Sequence, residues 1–476
     1  MVRNAGIPYR RLTDEQCRKL HHASLEILER TGVRLYHQPA IDVLRDAGVR
    51  VSEGNRVRIP PVLIERALET VPREIVLYDR HGNPALHLGG YRNYFGTGSD
   101  CLNIVDHRTG QRRKPVLQDV VEGITLCDAL PGIDFVMSMF LPTDVPDVAT
   151  DRYQMAVMLS HTTKPIVYVT NEFSGCRDAV AMAEAVVGGA DALRRKPLAA
   201  CYINVTTGLR HNEEALQKLL FLAEKGLPAA YIPFALGGAT APITLAGNMA
   251  IWNAGSLVGL VISQLKQPGA PFITSGFGAS GLDMRTTVSP YVEPENQFLA
   301  QELAHFYRLP MFALGGCTDS KLVDQQAGVE TALTLMTNTL AGSHLIHDLG
   351  YLESGLSGSL AQLVICDEIV SWLRTALAPI EINEETLALD LIDEMGPDGG
   401  FIESDHTLEH FRQRWYPQLL ERWDYPGWQE RGARDLAQRA AERVTEILDQ
   451  HRPGPLPDAV KARLKEISET AARGET

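Results

Sequence analysis

A closed parallel (β/α)8 barrel is the fold class this sequence predicts, and three observations point to it. Short apolar runs of the length of buried strands recur from Asn93 to Ile346. Helical periodicity fills most of the gaps between them. Nearly every run then breaks at glycine or into polar side chains, as strand tips do on the working face of a parallel barrel. The clearest example is Pro310 to Glu353. There PMFALGGCTDSKLVDQQAGVE leads through a helical stretch into SHLIHDLGYLESG. The competing architecture is a doubly wound open sheet.

In chain order, Thr13 to Thr31 reads as a helix, with Thr13 as N-cap and Gln16 three residues on. RIPPVLIERALETVP reads as a proline-initiated helix. Residues 1–90 form an N-terminal extension and residues 91–356 the barrel. The expected strands are Asn93–Thr97, Asp134–Phe140, Pro165–Thr170, Ala199–Asn204, Ala229–Phe234, Pro271–Ser275, Met311–Leu314 and His344–Ile346. The connection after the first, through Cys101–Asp119, is unusually long. Helices are expected over Thr150–His161, Cys176–Val187, Asn212–Glu224, Ile243–Gln267, Glu293–Tyr307 and Leu322–Leu340. Residues 357–476 form a helical C-terminal region. Its helices are expected over Ser359–Ala376, Asn383–Glu394, His406–Leu420, Ala433–Gln450 and Ala459–Thr470, as a cap or a dimerisation arm.

With 476 residues the chain can bury a large core. A net charge of -14 disfavours nucleic acid or an acidic membrane as partner. The seven cysteines are scattered with no CxxC pair, so neither a disulfide framework nor a zinc ribbon is expected, and a reducing, cytoplasmic setting fits. The N-terminus has no apolar h-region. Met249 to Leu265 is apolar but interrupted by Asn253, Ser256 and Gln264, which suits a buried barrel or interface helix better than a bilayer span.

On a barrel, the tips after the strands gather Gly96–Asp100, Asn171, Glu172, Asn204, Leu236–Gly238, Gly276–Gly278, Gly315–Asp319 and His347–Glu353. No GxxxxGK[ST] or GxGxxG stands between a strand and a helix, so nucleotide binding has no support. His344 and His347 lie three apart, on opposite faces of a strand, and no metal site is expected, although Cys317 lies one strand away. His347, at the tip, is the better substrate contact. Tyr94, Phe95, Tyr202, Tyr231, Phe234, Phe277 and Tyr351 sit on or just after strands, where aromatic faces can cage a quaternary ammonium at about 0.5–2 kcal/mol each.

Four stretches carry a family likeness: Phe234–Ile273 (FALGGATAPITLAGNMAIWNAGSLVGLVISQLKQPGAPFI), Gly315–Glu330 (GGCTDSKLVDQQAGVE), Leu345–Ile369 (LIHDLGYLESGLSGSLAQLVICDEI) and Gly396–Arg412 (GPDGGFIESDHTLEHFR). They resemble the trimethylamine methyltransferase family, and the likeness spans nearly the whole chain. The resemblance implies a (β/α)8 barrel that passes a methyl group from a methylated amine to the cobalt of a corrinoid on a separate protein. The trimethylamine enzymes of that family carry pyrrolysine. This chain contains none, so it resembles the branch that demethylates quaternary amines such as glycine betaine.

The resemblance thus implies a quaternary amine as methyl donor and a corrinoid protein as acceptor, with no tightly bound cofactor of the chain's own. A homo-oligomer is expected, with no nucleic-acid or membrane partner. On this reading Tyr94, Tyr202, Phe234 and Phe277 cage the ammonium, and His347, oriented by Asp348, binds the substrate carboxylate or hydroxyl. Asp319 orders the neighbouring tip, and Glu353 joins the substrate-binding set. Two other readings stay open. One is methyl transfer between a corrinoid protein and tetrahydrofolate, with Asp100 and Asn204 on a pterin ring. The other is a betaine-binding protein without turnover.

Overall fold

The computed structural model describes residues 9–474. Seven strands run parallel in one sheet: β1 (Tyr94–Phe95), β3 (Ile166–Val169), β4 (Ala199–Val205), β5 (Ala229–Pro233), β6 (Phe272–Ser275), β7 (Met311–Leu314) and β8 (Leu345–His347). β8 pairs with β1 in the register Leu345↔Tyr94 and Ile346↔Phe95. The remaining gap, between β1 and β3, is bridged by residues 135–136 (β2) through single parallel bridges Gly96↔Phe135 and Val136↔Ile166. The ring is closed, as an open doubly wound sheet is not.

β2 was expected as a full strand over Asp134–Phe140, and its shortness has a local cause. The Thr97 hydroxyl accepts from the Met137 N–H and donates to the Met137 carbonyl, both at 2.9 Å. The Asp134 carboxylate accepts from the Phe95 N–H at 2.8 Å. Side chains here take the place of ladder bonds, and Met139 turns to φ +63°. The long connection after β1 is accounted for as well. Asn103–Val105 and Arg112–Arg113 form a four-stranded sheet with Tyr351–Leu352 and Ser357–Gly358.

The barrel interior is filled by the inward positions of the strands. Tyr94, Phe135, Val167, Ala200, Ala230, Ile273, Phe312 and Leu345 form one buried cluster with Ile75, Leu77, Leu86 and Leu88. Those last four come from a hairpin, Ile75–Tyr78 with Pro84–Leu88, which closes the N-terminal end. Because the base is plugged, solvent and ligands can reach the interior from the opposite mouth.

Outside the ring, the Leu245–Lys266 helix has the length and apolarity of a membrane span, yet 78% of its apolar window is buried inside the protein. It packs under the helices Asp14–Glu26 and Pro61–Thr70 and against β5. Gly259 makes the close approach possible, since a Cβ there would sit 2.2 Å from the Tyr231 ring. Thr13 and Gln16 form the expected capping box.

The tail departs from expectation in two places. The helix expected over Asn383–Glu394 is split at Ala388 (φ +48°) into Glu384–Leu387 and Leu389–Met395. The helix expected over His406–Leu420 stops at His410. Beyond these, Leu436–Gln450 packs on Leu360–Ala376, and Asp458–Ala472 packs on Thr150–His161 and Phe173–Val187.

Candidate active site at the barrel mouth

The strand tips surround a cavity of about 680 Å³. β4 contributes Tyr202 and Asn204, the chain after β5 Phe234, and the tip of β6 Gly276–Gly278. Leu314 comes from β7, and His347, Asp348 and Tyr351 from β8 and its tip. Ser99 and Asp100 follow β1, and Met137 follows β2. A cover lies over part of the cavity: residues 287–291, with Tyr291, and the first turn of the Leu299–Tyr307 helix. None of the described lining residues is Lys or Arg, while two are aspartates. An apolar, acidic chamber of this kind favours a cation.

His347 stands on the chamber floor, its ring 4.1 Å from that of Phe312, 5.1 Å from Phe277 and 6.2 Å from Tyr202. Nδ1 donates to the Ala313 carbonyl at 2.6 Å, so the neighbouring strand sets the tautomer and the ring orientation. That role was expected of Asp348. Instead Asp348 faces the other nitrogen, Nε2, with Oδ1 3.4 Å away. Burial pushes the imidazole down to about 3 and is the cause that raises the Asp348 carboxyl well above the usual range. With Nδ1–H committed and the ring neutral, Nε2 is an acceptor, and His347 has no N–H left for a substrate carboxylate.

Asp348 is held in an uncommon backbone conformation, φ +77°. Gly98 makes room for it: a Cβ there would lie 1.9 Å from Asp348 Oδ1 and 2.4 Å from the Tyr351 ring. A cavity-lining carboxyl held in such a backbone conformation makes Asp348 a candidate functional residue. Asp100 is the second acid. It also has positive φ (+67°), and Gln154 donates to it at 3.0 Å, while burial pushes its carboxyl up.

The remaining expected residues separate by position. Tyr202, Phe234 and Phe277 line the chamber. Tyr94 does not. It sits at the plugged base, where its hydroxyl accepts from the His87 N–H at 3.0 Å. The expectation failed because β1 places Tyr94 one layer too low. Glu353 points away from the chamber, pairing with Arg112 (2.9 Å) and accepting from the Ser357 hydroxyl at 2.5 Å. Asp319 does not itself line the cavity. Its carboxylate accepts from the backbone N–H of Tyr291 (2.9 Å) and Val292 (3.3 Å) and from the Ser354 hydroxyl (2.7 Å). Asp319 is therefore a positioning residue that pins the cover. Glu293 pins the same segment through the Gly281 N–H.

Sequence reasoning missed Tyr291. The signal was the stretch between β6 and its helix, about twenty residues with neither helical nor strand period, a length that usually marks a functional loop. Among the described residues no cluster of three or more His, Cys, Asp or Glu is placed to hold a metal ion. Cys317 is buried beside the β7 tip.

Known proteins share this chain's sequence pattern and its fold. The family model described as Trimethylamine methyltransferase (MTTB) matches residues 1–473. The trimethylamine methyltransferase of Desulfitobacterium hafniense is 33% identical over 473 residues, 98% of this chain and 95% of that protein. The glycine betaine methyltransferase of the same species is 30% identical over 465 residues, 96% of each. Among solved structures, the monomethylamine methyltransferase of Methanosarcina barkeri superposes with a TM-score of 0.51 at 11% identity, over 100% of this chain and 89% of that one, a likeness of fold.

Proposed function

This chain belongs to the trimethylamine methyltransferase family and is a methyltransferase, and from that we propose that it moves a methyl group from a quaternary amine of the glycine betaine type to the Co(I) of a corrinoid carried by a separate protein. The observation that carries the reading is the composition of the mouth chamber. The aromatic residues Tyr202, Phe234, Phe277, Tyr291 and Tyr351 line it, with two aspartates, and none of its described walls bears a cationic side chain. A permanent cation is stabilised there by ring quadrupoles and by Asp348.

The transfer balances without further reagents. The electron pair of the C–N bond stays on nitrogen, which leaves as a neutral tertiary amine. The cobalt pair forms the new C–Co bond, giving methyl-Co(III). No proton needs to move at the reacting atoms, so the chain's contribution is orientation and exclusion of water. His347 keeps its Nδ1–H on Ala313 and holds the floor. The Asp348 carboxyl offsets the ammonium charge. A substrate carboxylate would be met by neutral donors: the Tyr202 hydroxyl, which has no hydrogen-bond partner among the described residues, Asn204, and the first-turn N–H groups of the helix beginning at Leu299, whose N-cap Phe298 supplies no side-chain cap.

The test is spectroscopic. Purified protein is mixed with cob(I)alamin and, in turn, glycine betaine, proline betaine, carnitine, tetramethylammonium and trimethylamine. The expected outcome is loss of the Co(I) spectrum and growth of methyl-Co(III) with at least one quaternary amine, and a weaker response to trimethylamine. Methylation by trimethylamine alone, or by none of the amines, overturns the reading.

A further inference from the structure

We infer that residues 378–411 form an arm that packs on a second copy of this chain. After Leu360–Ala376 the polypeptide leaves the barrel. It is pinned again when the Glu368 carboxylate accepts from the N–H groups of Gln418, Leu419 and Leu420, and when Trp415 donates to the Ser371 hydroxyl. Between these anchors stand three helices of 4, 7 and 6 residues, none of which buries a residue. Helices this short do not hold in water by propensity alone.

The same stretch is apolar where it is most exposed. Ile380, Ile382, Leu389, Ile402 and Leu408 are 85%, 75%, 64%, 86% and 69% exposed. With Leu387, Ile392, Phe401 and Phe411, also exposed, the open apolar side chains of the arm sum to roughly 1,000 Å², where the largest apolar patch of an ordinary monomer is a few hundred. One partner in a stable interface contributes about 800 Å². A surface this apolar needs permanent cover. A corrinoid protein has to come and go with each turnover, whereas a second copy is always present in equal amount.

Charge and shape indicate where the arm lies. From Ala378 to Phe411 there are ten Asp or Glu and no Lys or Arg, so arm against arm would set like charges together. The Gln325–Leu340 helix instead presents Val329, Leu333 and Met336 outward, 59%, 54% and 38% exposed, at the i, i+4, i+7 spacing of a single face. That stripe is the receiving surface. The inference does not depend on the proposed chemistry.

Light scattering on the size-separated full-length chain is expected to give a dimer or higher assembly down to submicromolar concentration. Ile402→Asp with Leu408→Asp, and separately Val329→Asp with Leu333→Asp, should each yield monomers with unchanged circular dichroism. Hydrogen exchange on the unmodified protein should show slow amides over 378–411. A monomeric wild-type chain, or fast exchange of the arm within an assembly, overturns the inference. So does an arm that becomes protected only when a corrinoid protein is added. A stripe variant that stays assembled while the arm variant dissociates overturns the receiving surface.

Discussion

The two ends of the barrel carry the same residue type in nearly the same burial, with opposite consequences. His344 enters β8 at the plugged base and His347 leaves it at the mouth. Burial lowers both imidazoles to about 3. At the base both ring nitrogens are satisfied: Nδ1 accepts from the Met311 N–H at 3.0 Å and Nε2 donates to the Gly90 carbonyl at 2.9 Å. At the mouth only Nδ1 is satisfied, and Nε2 looks across 3.4 Å at a carboxyl. A perturbed proton affinity therefore does not separate the histidine of the plugged base from the one at the candidate site. Unused hydrogen-bonding capacity facing a cavity does.

The largest effect should come from the base. His344→Ala leaves a void and orphans the Met311 N–H, a cost of about 3–5 kcal/mol in unfolding free energy at pH 7. The sign with pH is opposite to intuition. A folded-state value below the unfolded one, near 6.5, means that the histidine's contribution is full above 6.5 and is lost as pH falls toward about 3. The deficit of the variant should therefore shrink by about 2 kcal/mol between pH 7 and pH 5. Urea unfolding at the two pH values measures it, and kcat/KM per folded molecule should stay at the wild-type level. A stable but inactive His344→Ala would break the contrast between the two ends.

At the mouth, Asp348→Asn should weaken ammonium binding ten- to a hundredfold, about 1.5–3 kcal/mol. Because burial raises the Asp348 carboxyl, cation affinity in the wild type should climb as pH rises through its folded value and stay flat in the variant. Stability moves the other way. A raised carboxyl contributes fully below the unfolded value and loses that contribution as pH rises through the folded one, so Asp348→Asn should be at least as stable as the wild type at pH 7. Calorimetric titration and a thermal melt read the two signs. Weaker binding together with a lower Tm would recast Asp348 as structural. His347→Ala should cost less, about 1–2 kcal/mol in binding, since its ring is neutral and its one N–H serves the backbone.

The barrel was legible because strand and helix periods alternate and the tips break at glycine. The site was legible where a single strand phase decides which residues point inward, as for Tyr202, Phe277 and His347. It was not legible where that phase had to be combined with height in the barrel. Tyr94 has the right face and the wrong layer, a fact set by the hairpin Ile75–Leu88 rising into the base. Tyr291 belongs to a segment with no period, and its position depends on Asp319, twenty-eight residues away. Glu353 and Asp319 are polar tip residues whose partners come from other connections, so composition alone could not tell ligand contact from loop anchor. The break at Ala388 lies in an arm whose short helices bury none of their residues, so no core packing reinforces the helical period there.

The smallest effect compares two tyrosines that one expectation had treated alike. The Tyr94 hydroxyl accepts from the His87 N–H at the base, whereas the Tyr202 hydroxyl has no hydrogen-bond partner among the described residues and lines the chamber. Tyr94→Phe should therefore lower the unfolding free energy by about 1 kcal/mol, the net worth of one neutral hydrogen bond, and leave amine affinity unchanged. Tyr202→Phe keeps the ring and its cation–π face, so stability and tetramethylammonium affinity should hold. Its affinity for a carboxylate-bearing amine should fall, by no more than about fivefold, because only one neutral donor is lost. The comparison is read as a ratio: betaine over tetramethylammonium affinity drops in Tyr202→Phe and does not move in Tyr94→Phe. Equal ratios in both variants would mean that the carboxylate is met elsewhere, by Asn204 or by the first turn of the helix beginning at Leu299 in the chamber wall.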